Sequence, residues 1–234
     1  MHFEIAPKIF EKFPGLNIGA IVAKNLDNSG AIPEINNLLR EQESRIRASY
    51  NTETLSQNPK IDCWRKAYSA FGGKPKENRS SVENLYRAVL QGNDLRHINK
   101  LVDIYNLISL KHMLPVGGED IDKIQGAIQL TFAGANEPAL LLLGDKEARP
   151  PHQGEVIYKD SLSAICRRWN WREADRTKLS EQTKNCILVI EGLPPAAKSD
   201  VENATRELSD LVKKFCNGNV SYKILDERNP RIEF

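Results

Sequence analysis

The sequence lacks most of the features that announce a function at first sight. Its apolar runs are short: ALLLLG at 139–144 is typical, far below the ~20 residues that a membrane-spanning helix needs. The first ten residues, MHFEIAPKIF, show no basic region followed by an apolar stretch, so no secretory signal is expected and the protein reads as cytoplasmic. Cysteine is scarce, with Cys63, Cys166, Cys186 and Cys216 far apart, no CxxC and no companion histidine at zinc spacing. That pattern predicts neither a metal site nor a disulfide framework, but reduced, mostly buried thiols. Neither sign of charge dominates: 33 Lys and Arg stand against 31 Asp and Glu, a net charge of +2. Any contact with nucleic acid must therefore rest on a local patch. Walker loops, GxGxxG, GxSxG and HExxH are all missing, and no cofactor is expected. His2, His97, His112 and His152 form no evident nucleophile-and-base pair and read as structural or solvated.

What is present is an ordinary globular composition over 234 residues, 40% hydrophobic and 27% charged, enough for one large or two closely packed domains. Strand-like segments open the chain and break at Pro14-Gly15, with a strand over 17–24. Pro33 suits the first turn of a helix through EINNLLREQESRIRASY. A second helix is expected from Thr52 or Thr54, carrying IDCWRKAYSAFG and ending at Gly72-Gly73. Ser80 and Glu83 form a capping box for SVENLYRAVLQG. LRHINKLVDIYNLISLKH puts Ile98, Leu101, Val102, Tyr105 and Ile108 on one helical face and stops at Pro115 and Gly117-Gly118. Strands are expected at 126–132, 139–144, 155–160, 163–168 and 185–191. A helix from Ser199 or Asp200 to Cys216, capped by its own serine or aspartate, and a last strand VSYKIL follow. Helices followed by strands predict an α+β fold with an antiparallel or mixed sheet or sandwich.

Three constellations carry possible chemistry. KPKENRSS at 74–81 sets Lys74, Lys76 and Arg79 before a helix N-terminus, which suits a phosphate as well as it suits a solvated capping loop. NKLVDIYNLISL at 99–110 spaces Asn99, Asp103 and Asn106 by four and three on an otherwise apolar helix. An unpaired buried polar group costs about 1–3 kcal/mol, so these side chains either bond neighbouring loops or line a pocket. CRRWNWRE at 166–173 concentrates three arginines and two tryptophans. As a strand over 163–172 it would turn Cys166, Arg168, Asn170 and Arg172 one way and Arg167, Trp169 and Trp171 the other. Such a segment either stacks on and grips a nucleic-acid end or buries its tryptophans while its arginines pair with Glu155, Asp160, Glu173 or Asp175.

WRKAYSAFGGKPKENRSSVENLYRAV, INKLVDIYNLISLKHMLPVGGEDIDKIQG, GEVIYKD and CRRWNWREADRTKLSEQT together resemble a free-standing B3/B4 domain, the editing module of the bacterial phenylalanyl-tRNA synthetase β subunit. The resemblance spans roughly residues 10–225. NKLVDIYNLISL, a proline and DID carry most of it, and CRRWNWR looks characteristic of free-standing versions. It implies a three-layer α+β fold, a central mixed β-sandwich flanked by helices. It also implies one domain over 1–234, with a helix-rich part at 31–112, a strand-rich part at 124–192 and a C-terminal helix and strand at 198–226. In the synthetase the pocket hydrolyses tyrosine wrongly esterified to tRNA, using a positioned water and no covalent nucleophile.

Carried over, the Thr-Asn pair of that pocket falls on Tyr105 and Asn106, its histidine on Gly117, its Ala-Gly wall near Trp169 and Asn170. Its glutamate falls near Val189, with Glu191 two residues on and facing the same side of a strand. The resemblance therefore implies an aminoacyl-tRNA deacylase acting in trans on a mischarged amino acid. Asn106, Asn170 and Glu191 would serve catalysis; Tyr105, Ser109, Gly117, Trp169 and Asp103 would shape the substrate pocket. Lys74, Arg79, Arg168 and Arg172 would hold the acceptor end. The expected partner is an aminoacylated tRNA, with no DNA, no membrane and no metal. The alternative is a non-catalytic module that keeps the fold and binds a tRNA end or an amino acid, which the loss of the histidine favours.

Overall fold

The computed structural model describes residues Met1–Phe234, and its two β-sheets face each other. The element order is β1 (His2–Ile5), α1 (Pro7–Lys12), β2 (Asn17–Lys24), α2 (Pro33–Ser49), α3 (Pro59–Ala70), α4 (Ser81–Leu90), α5 (Lys100–His112), β3 (Val116–Asp120) and β4 (Ile128–Phe132). Then come β5 (Val156–Lys159), β6 (Ala164–Arg167), β7 (Arg172–Glu173), β8 (Cys186–Gly192), α6 (Lys198–Cys216), β9 (Asn219–Leu225) and β10 (Arg231–Glu233). The larger sheet runs β10-β1-β4-β5-β6-β7 and is mixed, because β1 and β4 pair in parallel. The smaller, β3-β8-β2-β9, is antiparallel throughout. Helices α5 and α6 pack on the smaller sheet, and α2 and α4 pack on α5. The fold is thus α+β, a sandwich with a mixed sheet and flanking helices. One cluster of 56 buried apolar residues draws on both the helical and the strand-rich parts. No helix is long and apolar enough to cross a membrane.

Strand alternation sets the geometry of the site. On β8, Leu188 and Ile190 turn towards the helices while Ile187, Val189 and Glu191 turn between the sheets. Gly19 on β2 and Gly192 on β8 let α6 approach: a Cβ there would fall 1.8 Å from Thr205 Oγ1 and 2.4 Å from Val201 Cγ2, respectively.

Several sequence expectations are corrected. The opening segment is strand β1 followed by a short helix whose first residue is Pro7. Helix α3 starts at Pro59 rather than at Thr52 or Thr54, because Asn58 Oδ1 accepts the Lys60 N–H at 3.0 Å and Pro59 suits the first turn. The capping box at α4 is half made: Ser80 Oγ accepts the Glu83 N–H at 3.4 Å. The Glu83 carboxylate, wholly buried, instead accepts from Arg65 at 2.9 Å and Arg87 at 2.8 Å. Helix α5 begins only at Lys100, with Asn99 Oδ1 capping Val102 N–H at 3.1 Å, so Ile98 lies outside it and is exposed. It ends at Met113, in the left-handed region with φ 54°, and Gly117-Gly118 belong to strand β3. Helix α6 has Ala197 at its N-cap, with Asp200 Oδ2 accepting the Ala197 N–H at 3.1 Å. Segment 139–144 makes only the isolated pairings Leu140 with Arg149 and Leu142 with Ala174.

The largest correction concerns 163–172. It is a hairpin of β6 and β7, turned by Arg168 (φ 48°) and Trp169 (φ 66°) in the left-handed region. A non-glycine residue there costs about 1–2 kcal/mol. The expected two-faced alternation therefore stops at Arg167.

Candidate functional site

A cavity of about 250 Å³ lies between the sheets. Gly117 and Glu119 of β3 and Val189 and Glu191 of β8 face Tyr158 of β5, Cys166 of β6 and the 169–173 segment. The volume is below that of a drug-sized pocket, roughly 300–1,000 Å³, and fits a single amino-acid side chain.

The strained turn points two consecutive side chains at one carboxylate. Glu191 Oε1 accepts from Trp169 Nε1 at 2.7 Å and from the Tyr158 hydroxyl, and Oε2 accepts from Asn170 Nδ2 at 2.6 Å. Trp169 is itself wedged among aromatics, with the Trp64 ring 5.1 Å away edge-on and Phe13 at 4.8 Å. Asn170 is held at three points. Its backbone carbonyl accepts the Ser81 N–H at the start of α4 (3.0 Å), its Oδ1 accepts from the Tyr68 hydroxyl (2.9 Å), and its Nδ2 donates to Glu191. The Glu191 carboxylate, an acceptor, sets which end of the amide faces it, and one Asn170 N–H stays uncommitted. Burial pushes the Glu191 carboxyl up to about 7, against the pull of Tyr158, Asn170 and Trp169. Desolvation thus outweighs three hydrogen bonds.

A second acidic group lies further along the cavity. Glu119 of β3 and Glu173 of β7 both line it. Burial raises Glu173 to about 7, with the Gly118 backbone pulling the other way. Burial and then the Glu173 charge hold Glu119 well above the carboxylate range, against weaker opposing pulls from Thr177 and Arg176. Glu119 is 8% exposed, and its Oε2 has no hydrogen-bond partner. The nearest atom to a Cβ built on Gly117 would be Glu173 Oε1 at 3.5 Å, so the missing side chain leaves space beside this pair. Cys166 is no thiolate at neutral pH: burial and the charges of Glu173, Glu119 and Glu191 drive its thiol well above its usual value.

The arginines of CRRWNWRE divide. Arg167 is buried and grips Glu155 with a two-pronged fork, Nε to Oε1 at 2.8 Å and Nη2 to Oε2 at 2.9 Å. Arg168 and Arg172 flank the Trp171 ring, their guanidinium carbons 4.5 and 5.4 Å from its centre. Arg172 also donates to Leu143 O at 2.6 Å and Asp145 at 2.8 Å. Beside them runs a groove lined by Lys146, Arg149, His152, Arg168 and Arg172 together with Asp145 and Glu147, the last accepting from Arg149 at 3.2 Å; it shares Trp171 and Arg172 with the cavity wall. A further groove with Lys74, Gly72 and Gly73 meets it at His152 and Arg168.

Of the residues singled out in the sequence, Asn170, Glu191, Trp169, Gly117 and Arg172 line the cavity. Those on α5 do not. Asp103 accepts from His97 Nδ1 at 2.5 Å and from Ile98 N–H at 3.2 Å, and Ser109 donates to Leu114 O at 2.7 Å. Asn106 is buried on the same helix. Tyr105 lies near enough to the acidic pair that the Glu173 and Glu119 charges, after burial, raise its hydroxyl. Lys74 faces Glu77 at 3.5 Å and Arg79 faces Glu83 at 3.8 Å. Sequence reasoning passed over Glu119, Glu173, Tyr158 and Tyr68 as site residues. Glu119 had a signal, its period-two relation to Gly117, hidden by reading Gly117-Gly118 as a stop.

The family model for the B3/4 domain matches residues 63–224. The phenylalanine–tRNA ligase beta subunit of Fusobacterium nucleatum subsp. nucleatum is 28% identical over 114 residues, 49% of this chain. The matched length is only 14% of that curated relative. A crystal structure of an N-terminal fragment of the phenylalanyl-tRNA synthetase beta-subunit from Pyrococcus horikoshii is similar at a TM-score of 0.46 and 15% identity, covering 93% of this chain and 49% of that one.

Proposed function

This chain belongs to the B3/4 domain family, and on that premise we propose that it hydrolyses the ester between a wrong amino acid and the 3′ end of a tRNA, acting in trans. The observation that carries the reading is the pairing of a buried carboxyl raised to about 7, Glu191, with a clamped amide, Asn170, at one wall of an amino-acid-sized cavity. A general base works best with a pKa near the operating pH. Glu191 Oε2, with one donor, has a lone pair left for a water. That water gives its proton to Glu191 as its oxygen attacks the ester carbonyl carbon. The uncommitted Asn170 N–H donates to the developing oxyanion. Collapse of the tetrahedral adduct breaks the bond to the ribose oxygen, which takes the proton back from Glu191.

The cationic groove supports tRNA as the carrier. Lys146 and Arg168 suit phosphates, Arg149 would do so on release from Glu147, and Trp171 suits a terminal base. Its continuation past Lys74 towards Arg79 would follow the acceptor strand. The curated relative is a tRNA ligase subunit, which agrees with a tRNA-linked role. In this reading Gly117 widens the cavity, Trp169 positions Glu191, and Tyr105, Asn106, Ser109 and Asp103 hold α5 behind the wall. Glycine at 117, where the synthetase pocket it resembles has histidine, favours a second reading: a module that binds the same ligand without cleaving it.

Single-turnover hydrolysis of charged tRNA separates the two. Asn170→Ala should slow the step by about 10²–10³, as loss of one oxyanion donor does elsewhere, and Glu191→Gln should abolish it. Tight binding of charged tRNA with no hydrolysis by the unaltered chain would select the binding module.

A further inference from the structure

The cavity is chemically lopsided, and the lopsidedness bears on what enters it. Glu191 already accepts from three protein donors, whereas Glu119 is more than nine-tenths buried and its Oε2 accepts no hydrogen bond. Glu173 lines the same end, close enough for its charge to act on Glu119. The one cation in the wall, Arg172, is already engaged by Asp145 and the Leu143 carbonyl. A buried carboxyl oxygen without a donor, beside a second carboxyl, is costly. A ligand that brings both a donor and a positive charge removes that cost.

The register gives the distance between the two ends. Glu119 pairs with Ile187, and Glu191 stands four residues further along β8, about 13 Å of strand at ~3.3 Å per residue. The wall between is apolar, made by Phe3, Ile128, Ile187 and Val189. Such a channel matches a side chain with a methylene stem and a charged head.

We infer that the Glu119–Glu173 end of the cavity is a subsite for the cationic tip of a long basic amino-acid side chain, whose ester lies at the Asn170–Glu191 end. The inference rests on the deacylase reading for the placement of the ester, while the subsite stands on the cavity's own chemistry. Gly117 contributes by leaving the space beside Glu173 that an ammonium or guanidinium would fill. Arginine adds in-plane donors that can meet both carboxyls, and lysine supplies three donors from one atom.

The test uses the full chain and needs no catalysis. Lysinamide and norleucinamide carry the same α-ammonium and differ in the side-chain nitrogen. Each is titrated in while fluorescence from the cavity tryptophans is followed. Lysinamide should bind about tenfold tighter or more, the gain expected of a charge-assisted hydrogen bond out of water. Glu119→Gln and Glu173→Gln should each shrink that ratio. Equal affinities, or a ratio untouched by both substitutions, would overturn the subsite. Hydrolysis is read separately on tRNAs charged with lysine and with norleucine. Preferential lysinamide binding with no hydrolysis of any charged tRNA leaves the subsite standing and sinks the deacylase reading. Equal hydrolysis of lysyl and norleucyl esters leaves the deacylase standing and sinks the subsite.

Discussion

Glu191→Gln tests the electrostatics of the site without reference to substrate. The carboxyl is 1% exposed, and burial raises it from 4.5 to about 7 although Tyr158, Asn170 and Trp169 all favour its charged form. The folded protein therefore holds this proton more tightly than the unfolded chain does. Below the unfolded value both states are protonated and the contribution to stability is complete. As pH rises through the folded value that contribution is lost. At about 1.4 kcal/mol for each pH unit between the two values, the loss is roughly 3 kcal/mol. Glutamine has no proton to lose. In urea denaturation across pH 4.5–8, the stability of the wild type relative to Glu191→Gln should fall by that amount, most of it between pH 5 and 7. Glu173 titrates in both proteins and cancels. A relative stability that stays flat within about 0.5 kcal/mol would mean that Glu191 titrates as a solvated carboxyl, and the burial argument would fall.

Further outcomes follow from the geometry. Gly118→Ala should cost about 1–3 kcal/mol in denaturant melts, because its Cβ would sit 2.4 Å from Leu188 Cδ2 and 3.0 Å from the Ile187 carbonyl oxygen. Gly117→Ala should change stability by less than about 0.5 kcal/mol and act instead on ligand affinity, since its Cβ meets only Glu173 Oε1 at 3.5 Å. Arg167→Ala should cost about 3–5 kcal/mol by stranding the buried Glu155, whereas Arg168→Ala should cost about 1 kcal/mol through its packing on Trp171; thermal or urea melts read both. Lys146→Glu with Arg149→Glu should leave the melting temperature unchanged, weaken tRNA binding and flatten its salt dependence, by a log–log slope of about one for each phosphate that is no longer neutralised.

The parts of the fold that were legible in sequence are those where local chemistry decides. Asn17–Lys24, Pro33–Ser49 and Cys186–Gly192 are set by apolar period and by a proline at a helix start, and they stand where the pattern puts them. Placing Glu191 beside Val189 on one strand face needed only the period of two. CRRWNWRE failed as a continuous strand because two bulky residues take left-handed backbone angles there, a conformation that composition argues against and that the surroundings of Trp169 and Asn170 hold in place. VGGED was misread for the opposite reason: two glycines look like a stop, yet Gly118 is glycine because Leu188 leaves no room for a Cβ. The Glu119–Glu173 meeting joins β3 to β7 across the sandwich, and only tertiary packing brings those strands together.

The decisive experiment for the deacylase is to incubate the chain at low salt with tRNAs charged with each of many amino acids and to record every ester half-life. One or a few esters should be hydrolysed faster, those with long basic side chains foremost, and Glu191→Gln should give no acceleration. Unchanged half-lives across the whole panel would contradict hydrolysis by this chain.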